Sequence, residues 1–144
     1  MKRIALLSVV MMLASAVFAP VAMAQVPGEI DVQSVTLGPG GSVTVLATIQ
    51  CVEGQLISTA DVTVRQRTSG NVFLIASGSP VTQQICPTTG PLEFTFTAFG
   101  SVSGDGPQKP FHKGPAVVDT FGRICTPDFF CQPDQTSVEE VRIR

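Results

Sequence analysis

A chain of 144 residues with 11 acidic and 9 basic side chains carries a formal net charge of −2, and no stretch concentrates either sign. Scattered charge of this kind gives no electrostatic footprint for nucleic acid or for an anionic lipid surface. With one histidine, no tryptophan and no tyrosine, the chain is poor in catalytic bases and in the aromatics that grip sugars and antigens.

Met1-Lys2-Arg3 is a positively charged start, Ile4 to Phe18 is a mostly apolar run, and Ala22-Met23-Ala24 is an A-x-A cleavage pattern. This is the layout of a secretory signal peptide over residues 1–24. The expected mature chain, residues 25–144, is one domain in size and buries well over half of the surface its unfolded form exposes. Losing Lys2 and Arg3 takes the net charge from −2 to −4. No second apolar run follows, so the expectation is a secreted monomer, extracellular or periplasmic, with no membrane insertion.

The four cysteines of a short exported chain point to disulfides rather than to zinc, whose ligand spacings are absent. Three pairings are open to Cys51, Cys86, Cys125 and Cys131; closeness favours Cys125–Cys131, which leaves Cys51–Cys86.

In chain order, residues 29–36 alternate loosely as a first strand, and Gly38-Pro39-Gly40-Gly41 is a turn. Residues 42–51 follow with Val43, Val45, Ala47, Ile49 and Cys51 on one side and Thr44, Thr48 and Gln50 on the other. That period of two is the mark of a half-buried strand. Residues 57–67 repeat it, with Ala60, Val62 and Val64 opposing Asp61, Thr63, Arg65 and Arg67. Thr68-Ser69-Gly70-Asn71 reads as a turn, 72–77 as a well-covered strand, Gly78-Ser79-Pro80 as a break, and 81–86 as a short strand into Cys86. Leu92, Phe94, Phe96 and Ala98 alternate next. Residues 100–114, rich in glycine and proline, read as irregular. Strands over 115–125 and 136–143 close the chain, with Gly122 as a candidate bulge and Val141 and Ile143 facing inward. Seven or eight short strands without helical periodicity predict an all-β, Ig-like antiparallel β-sandwich with two disulfides.

The runs VTVLATIQC, QQIC and FHKGPAVVDTFGRICTPDFFCQPDQTSVEEVRIR resemble small secreted bacterial Ig-like proteins of uncharacterised function. The resemblance covers most of the mature chain and implies a fold but no activity. The terminal cysteine hairpin is also similar to that of neocarzinostatin-like chromophore carriers, although the other two cysteines lie much farther apart here. Pro87-Thr88-Thr89-Gly90, Gly38-Pro39-Gly40-Gly41 and Lys109-Pro110-Phe111 echo the three loops of chagasin-like protease inhibitors, but the glycine loop comes first here and the other two are too close together.

No G-x-S-x-G elbow, H-E-x-x-H or phosphate loop is present, and His112 lies in a loop beside Lys113. Glu139 and Glu140 are strand neighbours that point to opposite faces, and Asp105, Asp128 and Asp134 read as solvated loop acids rather than as a calcium site. The expectation is therefore a non-enzymatic binding module without cofactor, recognising a protein or envelope component through its end loops. Phe129 and Phe130, in the five-residue loop between Cys125 and Cys131, are the candidate anchors, with Phe111 joining them if its loop shares their end. The alternative is a small-molecule carrier with an apolar cleft beside the cysteine loop; a hydrolase using carboxylates alone is a second alternative.

Overall fold

Strict alternation in residues 43–49 becomes strict alternation of burial. Val43, Val45, Ala47 and Ile49 are fully buried, while Thr44, Leu46 and Thr48 are half-buried on the other face. Each such valine or isoleucine contributes about 1.5–3 kcal/mol by leaving water, which is why the register tolerates no slip.

The computed structural model describes residues 26–88, 90–102 and 106–144, so the expected signal peptide, Thr89 and Asp105 lie outside the described residues. The smaller sheet has the order β1 (Ile30–Leu37), β2 (Val43–Ile49), β5 (Leu92–Ala98). The larger runs β7 (Gln108–Lys109), β6 (Gly100–Val102), β4 (Phe73–Ile85), β3 (Leu56–Arg67), β8 (Gly114–Cys125), β9 (Gln135–Ile143). Every pairing is antiparallel. The inner faces of the two sheets share one core, in which Ile49, Ile57, Val62, Val64, Leu74 and Ile124 are among the fully buried side chains. The chain is an all-β, Ig-like sandwich with two disulfides, Cys51–Cys86 and Cys125–Cys131. No helix of the described residues is long and apolar enough to cross a membrane.

Several local expectations need correction. Gly78-Ser79-Pro80 does not break the chain: β4 runs through it from Phe73 to Ile85. The register with β3 shifts here, Val62 pairing with Gly78 and Ala60 with Val81, so Ser79 and Pro80 stand opposite Asp61 alone. A bulge is a position where a proline, lacking its N–H, does not interrupt a ladder. Gly78 is required for another reason: a Cβ there would sit 2.7 Å from the ring of Phe96 in the facing sheet. Residues 100–114 are not wholly irregular, since they supply β6 and β7, which extend the larger sheet beyond β4.

Gly122 is not a bulge either. It pairs regularly with Ala60 and Gln135, and the register shift between β3 and β8 falls at Ser58, between Ile57 and Thr59. Gly122 faces inward, where a Cβ would collide with the carbonyl oxygen of Gly28 and crowd Ile49. The missing side chain lets the entering chain cross the sheet at close range.

Candidate functional site

The registers gather both disulfides at one end of the sandwich. Ile49 pairs with Ile30 and Leu92, and Leu56 pairs with Ile85 and Cys125, so residues 50–55, 86–88, 90–91 and 126–134 leave the two sheets together. Cys51–Cys86 ties the end of β2 to the end of β4 with the Cα atoms 6.0 Å apart. Cys125–Cys131 closes the connection between β8 and β9.

The sequence Thr126-Pro127-Asp128-Phe129-Phe130 makes a three-residue hairpin loop. Phe129 N–H donates to the Thr126 carbonyl at 2.9 Å, forming a β-turn, and Thr126 N–H donates to the Phe130 carbonyl at 2.8 Å. Proline second is the residue a type I turn favours. The residue that follows in such a loop takes the left-handed conformation, a position glycine fills most easily. Here it is Phe129, at φ 64°. An L side chain held there stores about 1–3 kcal/mol of strain. Both phenylalanines point into solvent: Phe129 is 78% and Phe130 76% exposed.

Below the loop, Gln132 N–H donates to the Ile124 carbonyl at 2.9 Å. Arg123 grips Asp134 with two parallel hydrogen bonds of 2.7 and 2.8 Å, and its guanidinium lies 5.5 Å from the centroid of the Phe121 ring. The hydrogen bond from Arg123, helped by its charge, holds the Asp134 carboxyl below the ordinary carboxylate range, against a smaller opposing effect of desolvation. Asp134 is thus committed to bracing the hairpin, and no group of three or more His, Cys, Asp or Glu side chains comes together among the described residues. Directly opposed residues project to the same face of a sheet, so Ile85, Leu56, Cys125 and Cys131 form a row across four chain segments beside the loop. Ile85 is 68% exposed, and Val52 and Val26 are exposed at the same end.

Phe111 does not join this group. It is 2% exposed, a member of the core, with its ring against Gly100. It also precedes β8, whereas Phe129 and Phe130 follow it, and twelve residues of strand put roughly 36 Å between the two ends at about 3.3 Å per residue. At the disulfide end, a depression of about 350 Å³ is lined by Pro27, Gln50, Cys51, Val52, Gly90 and Pro91, beside Cys51 rather than beside the Cys125–Cys131 loop. A larger one, of about 760 Å³, opens at the far end among Arg67, Phe73, His112, Lys113, Pro115 and Glu140.

Sequence reasoning missed that far cavity, though a signal existed. Ala60, Val62 and Val64 set an inward register in which the next position is Gln66, a polar residue in an apolar series. The structure buries Gln66 to 2% exposure and uses both ends of its amide on the backbone of His112.

No protein-family model, curated protein or solved structure matches this chain. The likeness to secreted bacterial Ig-like proteins and to chromophore carriers rests on the motifs of the sequence alone.

Proposed function

We propose that the protein is an exported, non-catalytic binding module that recognises a protein or envelope component through the end of the sandwich carrying both disulfides. The observation that carries this reading is the presentation of Phe129 and Phe130. Two large apolar side chains stand in solvent on a loop closed by a disulfide, clasped at its base by Arg123 and Asp134, and strained at Phe129. Backbone strain kept where no core packing benefits from it is a property of binding loops. The braced loop has little freedom left to lose on association, so more of the contact energy appears as affinity. The flanking row of Ile85 and Leu56 and the exposed Val52 supply further apolar area around such an anchor. Side chains this exposed at a loop tip suit a partner with a pocket better than a small ligand that needs enclosing.

The test is capture from the envelope and medium fractions of the producing cells by immobilised, disulfide-intact protein. Species retained by the wild type are scored against the Phe129→Ser/Phe130→Ser variant. Loss of an aromatic anchor removes 2 kcal/mol or more of binding, roughly a thirtyfold drop in affinity. The reading requires that the variant unfold as cooperatively as the wild type yet release the partner; equal retention by both would end it.

A further inference from the structure

The far end of the sandwich has the opposite character to the disulfide end. Every described lysine and arginine except Arg123 lies in the half of the molecule that holds the turn between β3 and β4, the start of β8 and the end of β9. Acids dominate the other half, among them Glu29, Asp31, Glu53, Glu93 and Asp128. A chain whose charge is mildly negative overall therefore gathers its described cations, Arg123 apart, in the half that holds the 760 Å³ cavity.

That cavity, of about 760 Å³, falls within the size range of ligand pockets. Its floor is apolar, built from Phe73, Pro115 and Val117 on the outer face of the larger sheet. Its rim carries Arg67 and Lys113. Arg65 also reaches it but is neutralised by Asp119 through two hydrogen bonds of 2.7 and 2.8 Å. Arg67 is held by the Gly70 carbonyl and Asn71 Oδ1, neutral acceptors that orient the guanidinium and leave its charge uncompensated. Neither Lys113 nor Arg67 has a carboxylate within ion-pairing distance among the described residues. The rim is also fixed in place. Gln66 Nε2 donates to the His112 carbonyl at 2.7 Å, and His112 N–H donates to Gln66 Oε1 at 3.0 Å. A buried amide thus pins the segment from which Lys113 projects.

We infer that this cavity is a second binding site, for a small amphipathic anion: a ring-sized apolar body laid on Phe73, Pro115 and Val117, with one carboxylate or sulfonate held by Arg67 and Lys113. Glu140 is the acid on the wall, and it opposes the ligand's charge. The site lies at the other end of β8 from Phe129 and Phe130 and is independent of the recognition reading.

The experiment is calorimetric titration of the disulfide-intact protein with 8-anilinonaphthalene-1-sulfonate, beside N-phenyl-1-naphthylamine, which has the same ring body and no sulfonate. The expected result is one site per chain, with the neutral analogue at least about tenfold weaker, as for loss of a charged hydrogen bond. Lys113→Gln should weaken the sulfonate about tenfold, Glu140→Gln should tighten it, and rising salt should weaken it. Phe129→Ser/Phe130→Ser should leave it unchanged. Three results would each overturn the inference: no binding, equal affinity for both probes, or binding that the Phe129/Phe130 variant abolishes and Lys113→Gln does not touch.

Discussion

The side-chain amide of Gln66 holds both the N–H and the carbonyl of His112, at 3.0 and 2.7 Å, across a sequence separation of 46 residues. One buried polar residue therefore joins the end of β3 to the segment that leads into β8. Gln66→Leu keeps the volume and removes both partners. Leaving the two backbone groups unpaired costs about 1–3 kcal/mol each when water cannot replace the bonds, so a loss of about 2–6 kcal/mol is expected in urea unfolding. Hydrogen exchange should show the 110–114 segment opening before the rest of the larger sheet.

Phe129→Gly separates stability from recognition. Glycine adopts the left-handed conformation at φ 64° without the Cβ penalty. The variant is expected to gain about 1 kcal/mol in unfolding free energy while weakening the recognition proposed for this loop. A variant less stable than the wild type would show that the Phe129 ring contributes to the fold after all.

Gly122→Ala should cost about 1–3 kcal/mol, since the added methyl meets the backbone carbonyl of Gly28, which no rotamer change can move aside. Thermal unfolding measures it, and an unchanged midpoint would show that the 26–29 segment yields freely.

The two disulfides are expected to divide their roles. Cys51 and Cys86 are 35 residues apart in sequence, Cys125 and Cys131 only 6. On loop entropy the first is worth about 4 kcal/mol and the second about 2. Replacing the Cys51–Cys86 pair by alanine should lower the melting temperature more, whereas replacing Cys125–Cys131 should do more harm to partner capture.

The clasp at the hairpin base gives a dependence on acid. The Asp134 carboxyl sits lower in the folded chain than in the unfolded one because Arg123 hydrogen-bonds its charged form. Its contribution is therefore complete above the ordinary carboxylate pKa and disappears as pH falls through the lowered folded value. Amide exchange in residues 124–132 should quicken over that acid interval in the wild type, and the step should be missing in Arg123→Ala. Because both side chains are substantially exposed, the effect is confined to the hairpin.

The sequence by itself determined the class of fold. Alternation at 43–49, 60–65, 92–98 and 115–121 depends only on neighbours along the chain, and two half-apolar sheets have little choice but to cover each other. Closeness in sequence also indicated the cysteine pairing. What alternation does not carry is which end of a strand a residue reaches and what stands opposite it. Phe111 and Phe129 are alike as loop phenylalanines in a list of residues. Only the course of β8 between them, and the gap that Gly100 leaves for a ring, makes one core and the other surface. Gly78, Pro80 and Gly122 read locally as punctuation, yet each is explained by a neighbour distant in sequence: Phe96, the β3 register and the Gly28 carbonyl. The polarity between an acidic, disulfide-bonded tip and a basic cavity is likewise tertiary. The charges are scattered along the chain, and antiparallel strands fold those separated residues into opposite halves of one domain.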